Sequence, residues 1–371
     1  MDLKNRQFKE QSNDTFKVKD GASRNVKNSE GIISKFEHAL QIRHQYASKT
    51  INSSSPEFSG IKYPKRRIAS RVVDSIYYGF LALCAFSVLV IIVGIFIELL
   101  TGSVASIREY GFHFFTESTW DPNSLKFGAL PFILGTLYSS SWALLIAVPI
   151  SVLTAIFLSE LCPQWLYKPL SFLVELLAAI PSVVYGIWGL FVLQPFLVRF
   201  LEKPISQNPV LSKIPIFGDT PNGYDMLSAS IILAIMVIPY ITSVTRDIIR
   251  AIPASIRDAS YALGATQWQT IRLAVLPYAR SGIIGAIILG LGRALGETMA
   301  VTMVIGNSPR FTLSLFKSGY TMSSVIANEL AEASGLYRTA LIEIGLTLFV
   351  ITVVVNIIAR LLVYYAGKDI N

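Results

Sequence analysis

The sequence predicts an all-α membrane protein with six transmembrane helices, and three observations lead to this fold class. Of the 371 residues, 52% are hydrophobic and only 15% are charged. The mean hydropathy of +0.52 is far above that of a soluble protein of this length. From Ile76 onward, long apolar runs alternate with polar breaks. Each run reaches the roughly 20 residues that a helix needs to cross the hydrocarbon core of a bilayer.

The chain begins with a polar segment, residues 1–70, that is rich in Ser, Asn, Lys and Gln. This composition predicts a mostly disordered tail, although Gly31–Ala47 leaves open a short surface helix. Residues 1–75 contain 15 basic and 8 acidic side chains, so they carry +7 of the total formal charge of +8. Attraction to a membrane surface explains this excess better than nucleic-acid binding, because no aromatic platform or zinc-ligand spacing accompanies it.

Six apolar runs follow the tail and predict the spans. They cover approximately residues 76–100, 133–158, 171–197, 227–248, 282–305 and 339–364. Basic residues cluster directly before the first run and around the break between the fourth and the fifth: Lys65, Arg66, Arg67 and Arg71, then Arg246, Arg250, Arg257, Arg272 and Arg280. The positive-inside rule places both clusters in the cytoplasm, and an even number of spans then places both termini there.

The sequence offers no sign of an enzyme active site. A G-x-x-x-x-G-K-[ST] segment is absent, so the chain is not expected to hydrolyse ATP by a P-loop mechanism. Its two cysteines, Cys84 and Cys162, and its three dispersed histidines do not form a disulfide framework or a metal-ligand pattern. We therefore expect no catalytic residue, no metal and no cofactor.

The fifth run contains two charged residues, Arg293 and Glu297, roughly 16 Å from its start near Gly282 at about 1.5 Å per residue. Ionised groups near the bilayer centre cost about 2.5–3.5 kcal/mol each on insertion scales, so they should face a wet cavity or each other. In a continuous helix their i, i+4 spacing places them on one face. They form either a structural ion pair or a transit site for an anion, and we favour the transit site.

Glycines are also frequent in the fifth run. Gly282, Gly285, Gly290, Gly292 and Gly296 predict the close approach of a neighbouring helix, with Gly292 and Gly296 as a G-x-x-x-G pair.

The break between the fourth and fifth runs has an ordered pattern of its own. It contains Asp258-Ala259-Ser260, then Gly264, and finally Leu276-Pro277. This pattern predicts a helix, a turn that glycine permits, and a second helix that the proline ends. Such a loop can present a short rigid helix to a partner protein.

These loop residues resemble the E-A-A, G, I-x-L-P loop of ATP-binding-cassette importer permeases, which docks on a separate ATPase subunit. Asp258, Ser260 and Ala274 depart mildly from that consensus. Three further segments look like the phosphate permeases of the PstC type: Phe127–Phe132, Ala179–Gly189 and Gly292–Ala300. The resemblance covers roughly residues 72–367 and leaves the tail unaccounted for.

The resemblance implies a non-enzymatic, multi-pass subunit of the bacterial inner membrane that translocates inorganic phosphate. Residues 71–367 would form its permease domain, with the ATPase-docking loop near residues 250–279. The implied partners are a PstA-type permease, an ATP-binding subunit dimer and an external phosphate-binding protein. Nucleic acid is not among them.

The resemblance also implies residue roles. Asp258, Ala259, Ser260, Gly264, Leu276 and Pro277 would dock the ATPase, and Arg293 and Glu297 would line the substrate pathway. Pro181 and Ser182 match another family segment, where proline can kink the third span. The alternatives are a permease for molybdate or sulfate, a PstA-type subunit, and a non-transporting scaffold. The Gly292–Ala300 segment argues against the first two, and a scaffold would make the loop pattern a coincidence.

Overall fold

The structure is a computed structural model, and it describes residues 68–218 and 223–368. The predicted tail therefore lies almost entirely outside the described residues. Within them, six helices are long and apolar enough to cross a membrane, and they cover Asp74–Tyr110, Leu130–Leu161, Ser182–Ser206, Met226–Arg250, Gln267–Leu295 and Gly335–Tyr364. The predicted all-α fold with six membrane-crossing helices is confirmed.

The first two spans are connected by a short helix and a hairpin. The elements are α1 (Ile68–Tyr110), α2 (His113–Thr116), the antiparallel strands β1 (Trp120–Asp121) and β2 (Lys126–Phe127), and α3 (Leu130–Ile156). A proline in the first turn of α3, Pro131, suits a position whose N–H has no helical partner. After α3 the helix widens into a π-helical turn, Phe157–Leu161.

The third apolar run is interrupted, so the expected continuous helix over residues 171–197 is wrong. The helix α4 (Gln164–Ala179) ends before Pro181, and α5 (Ser182–Trp188) begins after it. Ile180 is extended, with ψ at 130°, because a following proline disfavours the helical conformation. The span then continues through two π-helical turns, Gly189–Leu193 and Val198–Glu202, with α6 (Gln194–Leu197) between them and α7 (Lys203–Ser206) after them.

The fourth span, α8 (Met226–Arg250), is the central helix of the larger core. Asp225 caps its start, since Oδ1 accepts a hydrogen bond of 2.8 Å from the Ser228 N–H. Buried side chains such as Ile232, Val237 and Ile241 lie along it. The Ser151 hydroxyl of α3 donates to the Ile238 carbonyl at 3.2 Å, so the second and fourth spans are in direct contact.

The loop pattern between the fourth and fifth spans folds as α9 (Ala254–Ala262), α10 (Gln267–Thr270), a π-helical turn (Ile271–Val275) and α11 (Leu276–Leu295). Gly264 has φ of +83°, as expected for a turn that requires glycine. The expected helix stop at Pro277 is wrong. This proline lies in the first turn of α11, directly after the π-helical turn, where a missing N–H is tolerated.

Glycines of the fifth span do contact a neighbouring helix, but not the pair that was expected. A Cβ built on Gly290 would lie 2.6 Å from Ile241 Cγ1, and one on Gly282 would lie 2.7 Å from Ile248 Cγ2, both on α8. Among the described residues, a Cβ on Gly292 would meet nothing within 4 Å. The close approach therefore uses Gly282 and Gly290, and the prediction for Gly292 and Gly296 is wrong.

The remaining elements are α12 (Met299–Val304), α13 (Met322–Glu329) and α14 (Gly335–Lys368). Helix α12 packs into the larger core, whereas α13 and α14, together with the hairpin and the start of α3, enclose a second core that includes Phe114, Phe127, Phe132, Tyr320 and Ile344. This core lies at the end of α3 that is opposite the α9–α10 loop, and we call that end the hairpin end.

Candidate functional site

The fifth span is broken at the charged residues. Helix α11 ends at Leu295, and α12 begins only at Met299. Gly296, a poor helix former, stands at the break, and the Thr298 hydroxyl donates to the Gly296 carbonyl at 3.3 Å. Arg293 and Glu297 consequently do not share one face of a continuous helix, and that expectation is wrong.

Arg293 occupies the last turn of α11 and is exposed in the isolated chain. The negative end of the helix dipole favours a cation there. Its guanidinium carbon lies 5.8 Å from the centroid of the Tyr240 ring on α8, which is within the range of a weak cation–π contact. In the part of the chain that the structure describes, no carboxylate oxygen comes within 4.0 Å of this guanidinium. The side chain can therefore receive an anion.

Glu297 is held by neighbouring residues rather than by Arg293. Its Oε1 accepts a hydrogen bond of 3.4 Å from the Ala300 N–H at the start of α12. Its backbone carbonyl accepts a hydrogen bond of 2.6 Å from the Ser323 hydroxyl on α13. The ion pair that would neutralise both charges is not formed in this structure.

The break in the third span lies beside the break in the fifth. Helix α5 packs on α12 so closely that a Cβ on Gly186 would lie 3.0 Å from the Cα of Ala300. Across the third-span break, the Tyr185 hydroxyl donates to the Leu177 carbonyl at 2.8 Å. Interrupted helices at membrane depth are tolerated where they are buried in protein or line a cavity, and in transporters they commonly form the substrate site.

The predicted docking residues fall into two groups: those near the exposed tip of the α9–α10 hairpin, and those that pack between its helices or begin α11. Asp258, Ala259 and Gly264 are exposed, and α9 has no buried residue. Leu263, which precedes the glycine, is 90% exposed. Such an apolar side chain at the tip of a hairpin suits a protein partner.

The other predicted docking residues lie between the two arms of the hairpin or at the start of α11. The Ser260 hydroxyl lies 3.0 Å from the Thr270 hydroxyl, so it joins α9 to α10 rather than facing outward. Leu276 and Pro277 begin α11 and are not at the tip. Asp258, Ala259 and Gly264 therefore form the exposed surface near the tip, Pro277 is exposed at the start of α11, and Ser260 and Leu276 are half-buried.

An ion pair fixes this loop, and sequence reasoning missed it. Arg257 Nη2 on α9 lies 2.6 Å from Glu160 Oε1 in the π-helical turn after α3. From the sequence, Arg257 was only a member of the basic cluster. No local pattern could link two residues that are 97 positions apart.

The hairpin end contains a cavity of about 730 Å³, which Trp120, Asp121, Pro131 and Arg310 help to line. Hydrogen bonds from the Ser124 hydroxyl and the Asn123 N–H lower the pKa of Asp121, so it carries a negative charge near neutral pH. Arg310 and Asp121 give this cavity groups of both signs.

Comparisons with known proteins identify the family. Residues 147–365 match the model for the binding-protein-dependent transport system inner membrane component. The chain belongs to this family. It is 45% identical over 295 residues to a protein of Haemophilus influenzae named phosphate transport system permease protein PstC, covering 78% of this chain and 93% of that relative. It is 46% identical over 300 residues to a PstC of Mesorhizobium japonicum, covering 80% of this chain and 90% of the relative.

A solved structure shows the same fold. It is a chain of a bacterial alginate ABC transporter in complex with a periplasmic protein to which an alginate pentasaccharide is bound. The alignment has a TM-score of 0.52 at 18% identity and covers 80% of this chain and 96% of that chain. Family membership confirms the predicted multi-pass permease of the inner membrane. The chain is a transport subunit and not an enzyme, ATP hydrolysis belongs to separate subunits, and other ABC transporter components are its partners.

Proposed function

We propose that this chain is the permease subunit of an ATP-driven importer of inorganic phosphate. The observation that carries the proposal is its 45% identity to a phosphate permease over 93% of that relative's length. Two interrupted spans that meet beside an exposed arginine support it, because a phosphate ion needs a cationic ligand within the membrane.

Arg293 is proposed to be the transient ligand of the ion. Its planar guanidinium offers two parallel N–H donors to phosphate oxygens and stays protonated. Glu297 would repel the anion or compete with it for Arg293 when the break rearranges, which favours brief occupancy. A PstA-type permease would complete the passage on the exposed side of Arg293.

The α9–α10 hairpin is proposed to dock an ATP-binding subunit dimer through the surface around Asp258, Ala259 and Leu263. An external phosphate-binding protein would deliver the ion at the hairpin end. ATP binding and hydrolysis on the partner would then switch the permease between outward-facing and inward-facing states.

This arrangement requires the docking loop and both termini to face the cytoplasm, which the basic clusters support. Residues 1–70 would then be a cytoplasmic tail outside the transport path. Deleting residues 2–60 while keeping Lys62–Arg71 should preserve topology. A deletion variant with its carboxyl terminus outside the cell would contradict this orientation.

The function is tested by radiolabelled phosphate uptake in cells that lack their own phosphate permease, with the assembled complex quantified in the same membranes. Arg293→Gln removes about 3 kcal/mol of charge-assisted hydrogen bonding, so uptake should fall roughly a hundredfold with assembly intact. Arg293→Lys should restore uptake only in part, because it keeps the charge and loses the fork. Arg338→Gln, an exposed charge on α14, is the matched control.

Two outcomes would overturn the proposal. Normal uptake by Arg293→Gln would remove this residue from the pathway. If excess molybdate or sulfate reduced uptake of radiolabelled phosphate as strongly as unlabelled phosphate does, the protein would be a general oxyanion permease. Loss of the complex in both Arg293→Gln and Glu297→Gln would instead favour a structural role for the two charges.

A further inference from the structure

Glu160 and Arg257 form the most completely hydrogen-bonded charge pair among the described residues. The Arg257 guanidinium approaches the carboxylate with two nitrogens: Nη2 lies 2.6 Å from Oε1, and Nε lies 3.2 Å from Oε1 and 3.3 Å from Oε2. The Arg257 side chain is 20% exposed and the Glu160 side chain is 8% exposed. A forked contact of this kind fixes relative orientation as well as distance.

The same guanidinium also binds the end of the fourth span. Nη2 donates to the Ile249 carbonyl at 2.9 Å, and Nη1 donates to the Ile252 carbonyl at 2.8 Å. The Ile249 carbonyl lies in the last turn of α8, where it also accepts a bond of 3.3 Å from the Ile252 N–H, and a carbonyl oxygen has room for two donors. One side chain of α9 is therefore bound to the second span through Glu160, to the fourth span through the Ile249 carbonyl, and to the turn after that span through the Ile252 carbonyl.

The second arm of the hairpin is attached at the same residue. Gln267 Nε2 on α10 donates to the Glu160 backbone carbonyl at 2.9 Å. One apolar cluster contains the buried side chains of Ile156, Ile249 and Ile271, which come from the second span, the fourth span and the π-helical turn after α10. No residue of α9 is fully buried, and Ile256 packs only partly buried against this cluster, so the hydrogen bonds of Arg257 add fixed contacts between α9 and the spans.

Glu160 stands in the π-helical turn Phe157–Leu161 rather than in regular α-helix. Turns of this kind are rare and are found frequently at functional sites. The fourth span, to which Arg257 is also bound, carries Tyr240 beside Arg293. A continuous set of contacts therefore runs from the docking hairpin to the candidate ligand of the anion.

We infer that Glu160 and Arg257 are positioning residues that form the joint through which movement of the docked ATPase reaches the second and fourth spans. The inference rests on the proposed docking of the ATPase at the α9–α10 hairpin. Neither residue touches ATP or the transported ion. With the joint intact, a displacement of α9 moves both spans together. With it broken, the hairpin still binds the ATPase, but its displacement is not transmitted.

The test uses the whole complex, with its partner permease, ATPase and binding protein, reconstituted in lipid vesicles. Glu160→Gln keeps the size of the side chain and loses the charge that binds the fork. Arg257→Lys keeps the charge and loses the fork and the carbonyl bonds. Three quantities are measured: ATPase bound per permease, stimulation of ATP hydrolysis by phosphate-loaded binding protein, and phosphate uptake per ATP hydrolysed.

Glu175→Gln is the matched control. It removes the carboxylate from another Arg–Glu pair, in which Glu175 Oε1 lies 3.1 Å from Arg246 Nη2. There Glu175 is 58% exposed, and Arg246 keeps a second partner in Asp247 at 2.9 Å. We expect all three quantities to stay within twofold of the wild type.

For Glu160→Gln and Arg257→Lys we expect bound ATPase within twofold of the wild type, and at least a tenfold loss of uptake per ATP. Unchanged uptake per ATP would show that the pair is not the joint. A loss of bound ATPase in proportion to the loss of uptake would show that the pair only shapes the docking surface. Failure of both variants to accumulate in the membrane would make the pair a folding element and would also overturn the inference.

If the wild-type complex itself fails to bind an ATPase or to take up phosphate, the proposed function is at fault rather than the joint.

Discussion

A half-buried hydrogen-bond network at the hairpin end leads to a quantitative prediction. The Glu329 carboxylate accepts bonds from Trp120 Nε1 at 2.9 Å, from the Tyr337 hydroxyl at 2.6 Å and from the Tyr320 hydroxyl at 3.1 Å. Burial raises the pKa of Tyr320, so this hydroxyl remains a protonated donor at physiological pH. The network joins the β1–β2 hairpin to α13 and α14.

In Glu329→Gln the amide oxygen can keep the bonds from Trp120 and Tyr337 as bonds to a neutral acceptor, while the amide nitrogen is a donor, so the Tyr320 hydroxyl must accept there instead of donating. Hydrogen bonds to charged groups contribute about 1.5–3 kcal/mol and neutral ones about 0.5–1.5 kcal/mol, so about 1 kcal/mol is lost per bond. Glu329 is only half-buried, and solvent screening reduces the sum from about 3 to about 2 kcal/mol. Since 1.36 kcal/mol corresponds to a factor of ten, an opening of the hairpin end that breaks all three bonds, and so frees the hairpin from α13 and α14, should become roughly thirtyfold more frequent.

Amide hydrogen exchange measured on the detergent-solubilised protein tests this estimate locally. The amides of residues 120–127 should exchange roughly thirtyfold faster in Glu329→Gln, while those of α8 stay unchanged. Tyr337→Phe, which keeps the ring stacked 5.3 Å from Phe127, removes one bond to the carboxylate, about 1–2 kcal/mol with the same screening, and should raise exchange roughly fivefold to thirtyfold. Hairpin exchange within twofold of the wild type in Glu329→Gln would refute the reasoning.

Three further predictions concern single positions. Gly264→Val forces a β-branched residue to φ of +83° and should reduce ATPase binding to purified complexes by at least tenfold while the spans still insert. Gly290→Ala should lower the thermal stability of the purified protein, because its Cβ meets α8, whereas Gly292→Ala in the same helix should not. Burial raises the pKa of Asp225, so its stabilising contribution is present below about pH 4 and is lost as the pH rises through the raised pKa. Asp225→Asn keeps an acceptor for the cap but does not ionise. As the pH rises above about 4, its unfolding temperature should therefore fall less than that of the wild type. Equal falls in the two proteins would contradict this.

The number of spans was predictable from the sequence because insertion depends on the mean hydropathy of about 20 consecutive residues and not on which residues they later contact. The interruptions were not predictable in the same way. Pro181 marked a kink but not a full break, and a proline alone does not distinguish the two. At Pro277 the same residue type was expected to end a helix, and there it begins one.

The candidate site shows a similar division. Gly264 was found correctly because a positive φ requirement is a local property of the backbone. The contacts of Glu160 with Arg257 and of Glu329 with Trp120 join residues 97 and 209 positions apart, so no local pattern indicates them. That Arg293 and Glu297 share one helix face was predicted from helical spacing, and this prediction failed because the helix ends between them.

That failure bears on the proposed mechanism. In an unbroken helix, Arg293 and Glu297 at i, i+4 would attract each other, and in a membrane the attraction would be strengthened by the low dielectric. An arginine already neutralised in this way has little left to offer a passing anion. After the break at Leu295, the Glu297 carboxylate accepts a bond from the Ala300 N–H, and the Glu297 backbone carbonyl accepts one from the Ser323 hydroxyl. Arg293 lies beside the Tyr240 ring instead. An aromatic face stabilises a guanidinium without occupying its hydrogen-bond donors. Under the proposed function, interruption of the fifth span is thus what keeps its arginine available to phosphate.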